Sequence, residues 1–368
     1  MILKFNNQWL KTPTHVLGYQ EDPLNPLGLP SHVIRCKFKA SYTPAQGDTQ
    51  TLVDDEQNIW DIYIESDYWQ STFSECTDLL EVLGANVTGV IWLDHTFYEC
   101  TSLTRVALFD TSTIRSLNSA FENCHVLKAI PEFDTSNVVN MNAAFFGCDS
   151  VESIPLFDTS NVTNMRAAFA RCRSIMSFPL LNTSKVTTMA RTFEECTSLT
   201  TIPLLDTSNV TNMEMMFYLC TALTSVPLLD TSNVTNMTAT FHSCDSLVTV
   251  PLLDTSNVTS MEMMFHTDDN ITHLPLFNTS KVTNMEAMLS YCPKLQEIPL
   301  FDTSNVTNMH GMCAHCYGVE SGALALYQQA SSQANPPSNH TSTFYQCGRD
   351  TVTGAVELAQ IPDDWKSL

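Results

Sequence analysis

Positive charge is scarce in this chain. Seventeen lysines and arginines stand against 39 aspartates and glutamates in 368 residues, for a net charge of −22. A surface that acidic repels phosphates, which argues against nucleic acid or an anionic membrane as a partner. Apolar runs long enough to span a bilayer as a helix are missing too. The opening MILKFNNQWLKTPTH has no apolar h-region, so no secretory signal is expected. A phosphate loop is absent, as is any nucleophile–base–orienter set, so no catalytic residue and no cofactor are expected.

The chain is rich in repetition. A 24-residue unit runs in register from about Ile62 to Cys316, and one copy reads LTTIPLLDTSNVTNMEMMFYLCTA from Leu199 to Ala222. Phenylalanine returns every 24 residues from Phe73 to Phe265, with a cysteine three places later, except that Asp268 replaces it after Phe265. A fixed period of this length is the mark of a solenoid whose coils share one core.

Within a coil, Met213, Met216, Phe217 and Cys220 fall at i, i+3, i+4 and i+7. That spacing predicts a helix of about two turns. Residues of N-cap type precede it at Ser116, Asn140, Asn164, Thr188, Asn212, Asn236, Ser260, Asn284 and Asn308. The segment Leu199, Ile202, Leu204 follows the LxxLxL pattern of a short parallel strand, kept very short by a proline in eight coils from Pro131 to Pro299. DTSN then turns the chain, and a second extended piece points Val210 and Val234 inward. The expected fold is an α/β solenoid: a leucine-rich-repeat-like, right-handed stack of about eleven coils, roughly 50 Å long.

Four regions follow. Residues 1–31 hold Phe5, Trp9, Leu17 and Tyr19 among prolines and read as an extended arm. Residues 32–61 form a β-rich cap, with Ile34, Cys36 and Phe38 facing one way and Arg35, Lys37 and Lys39 the other. The repeats fill 62–316. Residues 317–368 form a mixed cap with a helix over 321–333, striped by Ala323, Leu326, Tyr327 and Ala330, and one degenerate coil holding Phe344 and Cys347. In that coil the Cys-to-Pro interval is eight residues longer than usual.

Ten of the 13 cysteines lie on the repeat column from Cys76 to Cys316. Bridging neighbours would distort an even stack, so a ladder of buried thiols folded in a reducing compartment is expected.

The unit L-D-T-S-N-V-T-N-M-x-x-M-F-x-x-C-x-x-L-x-x-V-P-L resembles the BspA-like leucine-rich repeats of bacterial surface proteins. That resemblance implies attachment and partner binding. The flanks NPLGLPSHVIRCKF, GALALYQQASS and VELAQIP resemble segments that frame such repeats in proteins of gut bacteriophage genomes. They imply a virion surface component assembled in the host cytoplasm, with a bacterial cell-surface or secreted adhesin as the alternative. Its partners would be other virion proteins through the arm and a host surface protein or glycan through the solenoid. Homo-oligomerisation is left open.

Several columns invite a site. Asp110, Asp134, Asp158, Asp206, Asp230, Asp254 and Asp302 stack one per coil, with Asn182 and Asn278 in the same column and Lys185 and Lys281 three places on. A calcium ladder is the sharp reading and turn capping the plainer one; the glycine-rich calcium repeat is absent. Cys313-Ala-His-Cys316 with His310 has half the look of a zinc site, yet both cysteines fall on core columns and no second pair follows. No metal is therefore assigned, although His242 and His266 near Asp268 could bind one. Positions that vary between coils can write recognition: Tyr218, His242 and His266 should lie side by side, with Tyr98 and Phe146 in the same column. With Phe5, Trp9 and Tyr19 of the arm, these three are the candidate partner-binding residues. On the strand side, Lys128 and Glu152 carry the only charges of a column that is otherwise neutral from Thr104 to Gln296.

Overall fold

The computed structural model describes residues 24–42, 50–64, 69–86 and 89–367. The arm residues Phe5, Trp9 and Tyr19 lie outside the described residues. Among the described residues no helix is long and apolar enough to cross a membrane.

The N-terminal part is a five-stranded sheet. Its strands are β1 (Val33–Phe38), β2 (Gln50–Asp54), β3 (Ile59–Tyr63), β4 (Leu79–Asn86) and β5 (Arg105–Val106), in the order β2-β3-β1-β4-β5. All neighbours are antiparallel except β4 and β5. The period-two alternation of β1 buries Ile34, Cys36 and Phe38 as expected. Its basic face is neutralised within the sheet: Arg35 holds Asp61 with two bonds of 2.7 and 2.9 Å, and Lys37 lies 3.6 Å from Glu81. β1 is a central strand, so this face is no free basic edge.

The coils stack from the one that holds Phe73, whose amide donates to Thr96 O at 2.9 Å, and parallel bridges join Trp92 to Ser116, Ser116 to Asn140, and so on down to Asn308 and Asn339. The ladder lies on the second extended piece. There the Thr211 amide donates to Thr187 O of the previous coil at 2.9 Å, while Met213 N donates to Asn236 O of the next at 3.0 Å. Val210 and Val234 beside it are fully buried.

The expected helices over the Met-to-Cys stretch do not form. Amides 213, 215, 217 and 219 donate to carbonyls of the next coil at 2.8–3.0 Å, and amides 216, 218 and 220 close turns on carbonyls three residues back at 3.0–3.2 Å. Met215 and Leu219 take left-handed φ values of 53° and 58° to allow it. An isolated two-turn helix is marginal, whereas a neighbouring coil offers every second amide a fixed acceptor. Met213, Met216, Phe217 and Cys220 are all buried nonetheless. Turns that repeat every four residues bury the same positions as a helix of 3.6 residues per turn over so short a span, so the pattern alone could not separate them. Asn212 does cap its segment, accepting Glu214 N at 2.9 Å, but what it caps is a turn.

The LxxLxL strand also needs correcting. Leu204 and Leu228 are each 62 % exposed, and Leu205 and Leu229 occupy the core instead. A single backbone bond such as Thr224 N to Thr200 O (3.0 Å) links coils on this side, because proline stands where the next donor would be. Ala107 fills the proline position of its coil, and its amide donates to Val82 O at 2.9 Å. That is where β5 appears.

The far end closes with α1 (Ala323–Ser331) and α2 (Val352–Gln360). α1 falls inside the expected 321–333 and buries Ala323, Leu326 and Ala330. Gly322 at its start has φ 99°, and a Cβ there would lie 2.2 Å from Ile298 O, so the position admits glycine alone. α2 is the long insertion before Pro362, capped by Thr351, whose hydroxyl accepts Gly354 N at 3.0 Å. Phe344 and Cys347 continue the two core columns.

Candidate partner-binding ladder

Each letter of DTSN has its own bond. Asp206 Oδ1 accepts Ser208 N at 3.1 Å and its hydroxyl at 2.7 Å, closing the turn. Thr207 is buried and donates to Asp230 O of the next coil at 2.7 Å. Asn209 Nδ2 reaches Ser184 O of the previous coil at 2.7 Å. The capping bonds of Ser136, Ser160 and Ser208 hold Asp134, Asp158 and Asp206 below the ordinary carboxylate range. Asn182 and Asn278 cap in the same way, at 3.2 and 3.1 Å to the serine amide. Lys185 and Lys281 instead bridge to Asn161 and Asn257 of the preceding coil at 2.7 and 2.6 Å. The Asp column is therefore turn-capping machinery. The cross-coil duties of Thr207 and Asn209 were not visible in the sequence, whose only signal was that Thr returns in every copy from Thr111 to Thr303 and Asn in most copies.

The thiols form a ladder of their own. Cys220 Sγ donates to Phe193 O at 3.0 Å, and each column cysteine from Cys100 to Cys316 makes the same bond at 2.9–3.2 Å. Burial pushes these thiols up, Cys196 and Cys316 to about 12, which leaves them inert. Cys313 and Cys316 are in this core, while His310 turns away to the Thr341 hydroxyl at 2.7 Å. Asp268 is also in the core, accepting Cys244 N at 2.6 Å, apart from the half-buried imidazoles of His242 and His266. Among the described residues no cluster of three or more His, Cys, Asp or Glu could hold a metal.

Tyr218, His242 and His266 do come together. Ring centroids are 4.7 Å apart from Tyr218 to His242 and 4.6 Å from His242 to His266. The run continues where the sequence reading stopped: His266 to Tyr291 is 5.8 Å, Tyr291 to His315 4.2 Å, and His315 to Tyr345 5.1 Å. At Tyr291 the rings shift by one position in the coil, so the second half does not share the sequence column of the first. Tyr98 and Phe146 stand apart, Tyr98 against His95 at 5.7 Å and Phe146 under Arg171 at 5.1 Å.

Polar contacts fix the rings. His242 Nδ1 meets the Ser243 hydroxyl at 2.8 Å, Ser243 meets Thr267 at 2.6 Å, and His315 Nδ1 meets Tyr317 OH at 2.7 Å. Arg349 closes the end over the Tyr317 ring at 4.3 Å. Burial lowers the pKa of all three histidines, that of His242 to about 4, so the imidazoles are neutral at physiological pH. The result is a ladder of uncharged, half-exposed rings across successive coils, a platform for stacking against flat apolar surfaces.

Similarity to known proteins follows the repeats. No curated protein matches the chain significantly. Among solved structures, the leucine-rich repeat protein of T. pallidum shares 19% identity over 47% of this chain and 78% of its own, at a TM-score of 0.35. A leucine-rich cell surface protein of Faecalibacterium prausnitzii A2-165 shares 18% over 70% of this chain and 93% of its own, at 0.34. The family model described as "Mycoplasma protein of unknown function, DUF285" matches residues 91–201, 154–249 and 224–324. These overlapping spans take in most of the stacked coils and more than half of the sequence, and the chain belongs to that family, DUF285.

Proposed function

We propose that this chain is a non-enzymatic structural and binding protein of a surface, and that the ladder from Tyr218 to Tyr345 receives its partner. The ladder is the observation that carries this reading. Catalysis needs unlike groups converging on one point, whereas a repeat supplies like groups in parallel columns. Rings that are neutral at physiological pH on a strongly acidic body suit an uncharged partner, a glycan or an apolar protein patch, and disfavour a polyanion. In finer terms the protein is a bacteriophage virion component, with residues 1–31 joining it to the particle and the solenoid acting as adhesin. The motif resemblance of its flanks and the thiol-filled core, suited to assembly in a reducing cytoplasm, favour that setting. A bacterial surface adhesin is the second reading, favoured by the BspA-like repeat motif itself.

Labelled protein incubated with a panel of gut bacterial strains tests the ladder. Wild type should be retained on at least one strain, and a Tyr218→Ala, His242→Ala, Tyr291→Ala variant should lose that retention. Equal retention of the two would refute the ladder as the site. Immunogold labelling of purified particles and of producing cells separates the two settings.

A further inference from the structure

The residue after the repeat proline is an exposed leucine in seven successive coils. From Leu156 to Leu300, at 24-residue intervals, these side chains are between 50 % and 74 % exposed. Aligned by the stack at roughly 4.8 Å per coil, they make an unbroken apolar stripe about 30 Å long. Together they leave roughly 500 Å² of apolar surface in water, toward the upper end of the ~300–600 Å² that the largest patch of a typical monomer covers, and patches of that size are often functional. At the C-terminal end a shallow depression of about 260 Å³ opens between Leu276 and Leu300, edged by Pro299 and Glu297. The stripe's flanks differ in chemistry. On one side runs the exposed Asp column, Asp206, Asp230 and Asp254, and on the other the exposed hydroxyls of Thr200, Thr201, Thr224 and Ser225.

We propose that this stripe is the contact surface of a homodimer in which two copies lie side by side with their rods parallel. The occupant follows from spacing and charge. A second copy carries leucines at the same pitch, so every side chain of one stripe meets its counterpart, and no partner of different period can keep step over seven coils. The leucine area supplies more than half of the ~800 Å² that each side of a stable interface contributes, and the flanks supply the remainder. The flanks also fix the orientation. A two-fold axis along the rod sets the acidic column of each copy against the other's Thr201 and Ser225, whose hydroxyls can donate to carboxylates, while those of Thr200 and Thr224 already donate to Met176 O and Thr200 O. An axis across the rod would set carboxylate against carboxylate, at a cost in repulsion. The stripe occupies a different stretch of the coil from the ring ladder, so pairing leaves the ladder open.

Sedimentation equilibrium of the full chain tests the proposal. Wild type should be a dimer at micromolar concentration. Leu204→Asp with Leu252→Asp should raise the dissociation constant about 100-fold or more. Leu204→Ser with Leu252→Ser should shift it the same way while keeping the monomer's circular dichroism. A wild type that stays monomeric at about 100 μM, or a dimer that both variants leave unchanged, overturns the proposal. Orientation is read from cross-linking: Leu156→Cys and Leu300→Cys, in separate chains, should each link to its own kind. Links that form only between the two variants in a mixture would overturn the parallel arrangement.

Discussion

Replacing Asp268 by cysteine should stabilise the rod, and by more at about pH 8 than at about pH 5. Asp268 is fully buried; its Oδ1 takes the Cys244 amide at 2.6 Å, and its Oδ2 has no partner among the described residues. Burial holds the carboxyl well above the ordinary carboxylate range. The unfolded chain releases this proton near pH 4, while the folded chain keeps it. Between those two values the folded state binds more protons, so stability falls as pH rises, by about 1.4 kcal/mol per pH unit, until the folded value is passed. A cysteine at 268 restores the rung the other coils share and offers its thiol to Phe241 O, the carbonyl that the series assigns to it. Where Asp268 is still neutral, the gain is the removal of a buried unpaired oxygen, about 1–3 kcal/mol, and the pH-dependent part adds to it above that. Urea unfolding followed by circular dichroism at both pH values, on wild type, Asp268→Cys and the always-neutral Asp268→Asn, isolates the effect. Acid-induced changes in the rest of this acidic chain are common to all three and cancel in the differences. A stability difference between wild type and Asp268→Cys that is the same at both pH values would refute a buried, proton-holding carboxyl.

Phe217 is fully buried with stacked neighbours 5.6 Å away on either side, so Phe217→Ala should cost about 3–5 kcal/mol by urea unfolding. Phe217→Leu should cost less than about 1.5 kcal/mol, since Leu289 already fills the same column. Thr231→Val keeps the shape but removes the 2.7 Å bond to Asp254 O, for a loss of about 0.5–1.5 kcal/mol in the same assay. Ala107→Pro should abolish hydrogen-exchange protection in β5 and leave the distant coils unchanged, because it deletes the donor to Val82 O. All 13 cysteines are free thiols, and nearly all should react with a thiol reagent in denatured, unreduced protein.

The period, the core columns and α1 were legible because burial alone dictates them: a Phe or Cys every 24 residues has one place to go. The backbone of the coil was not. Met213, Met216, Phe217 and Cys220 satisfy a helical stripe and a chain of four-residue turns equally, and the choice is made by carbonyls of the next coil, which a single unit does not contain. Leu204 and Leu205 posed the same problem in miniature. Two adjacent leucines cannot both enter the core of a chain this extended, and the proline before them does not say which does. Half of the ring ladder was found from its column. The other half, Tyr291, His315 and Tyr345, lies off that column, where only the path of the backbone reveals that the rings still meet.

The side-chain bonds that join coils span fixed distances along the chain: 23 residues from Thr207 to Asp230, 25 from Asn209 back to Ser184, 27 from Cys220 back to Phe193. Every one of these intervals is tied to the 24-residue unit. Losing or duplicating a whole unit leaves each interval intact, whereas a one-residue deletion puts three donors out of reach of their acceptors at once. Recombination between near-identical units would thus lengthen or shorten the molecule in steps of a single coil, ~4.8 Å each, with no new interface to evolve. Reach becomes a quantity that a lineage can tune by copy number, while the two end caps and the chemistry of each exposed column are inherited unchanged.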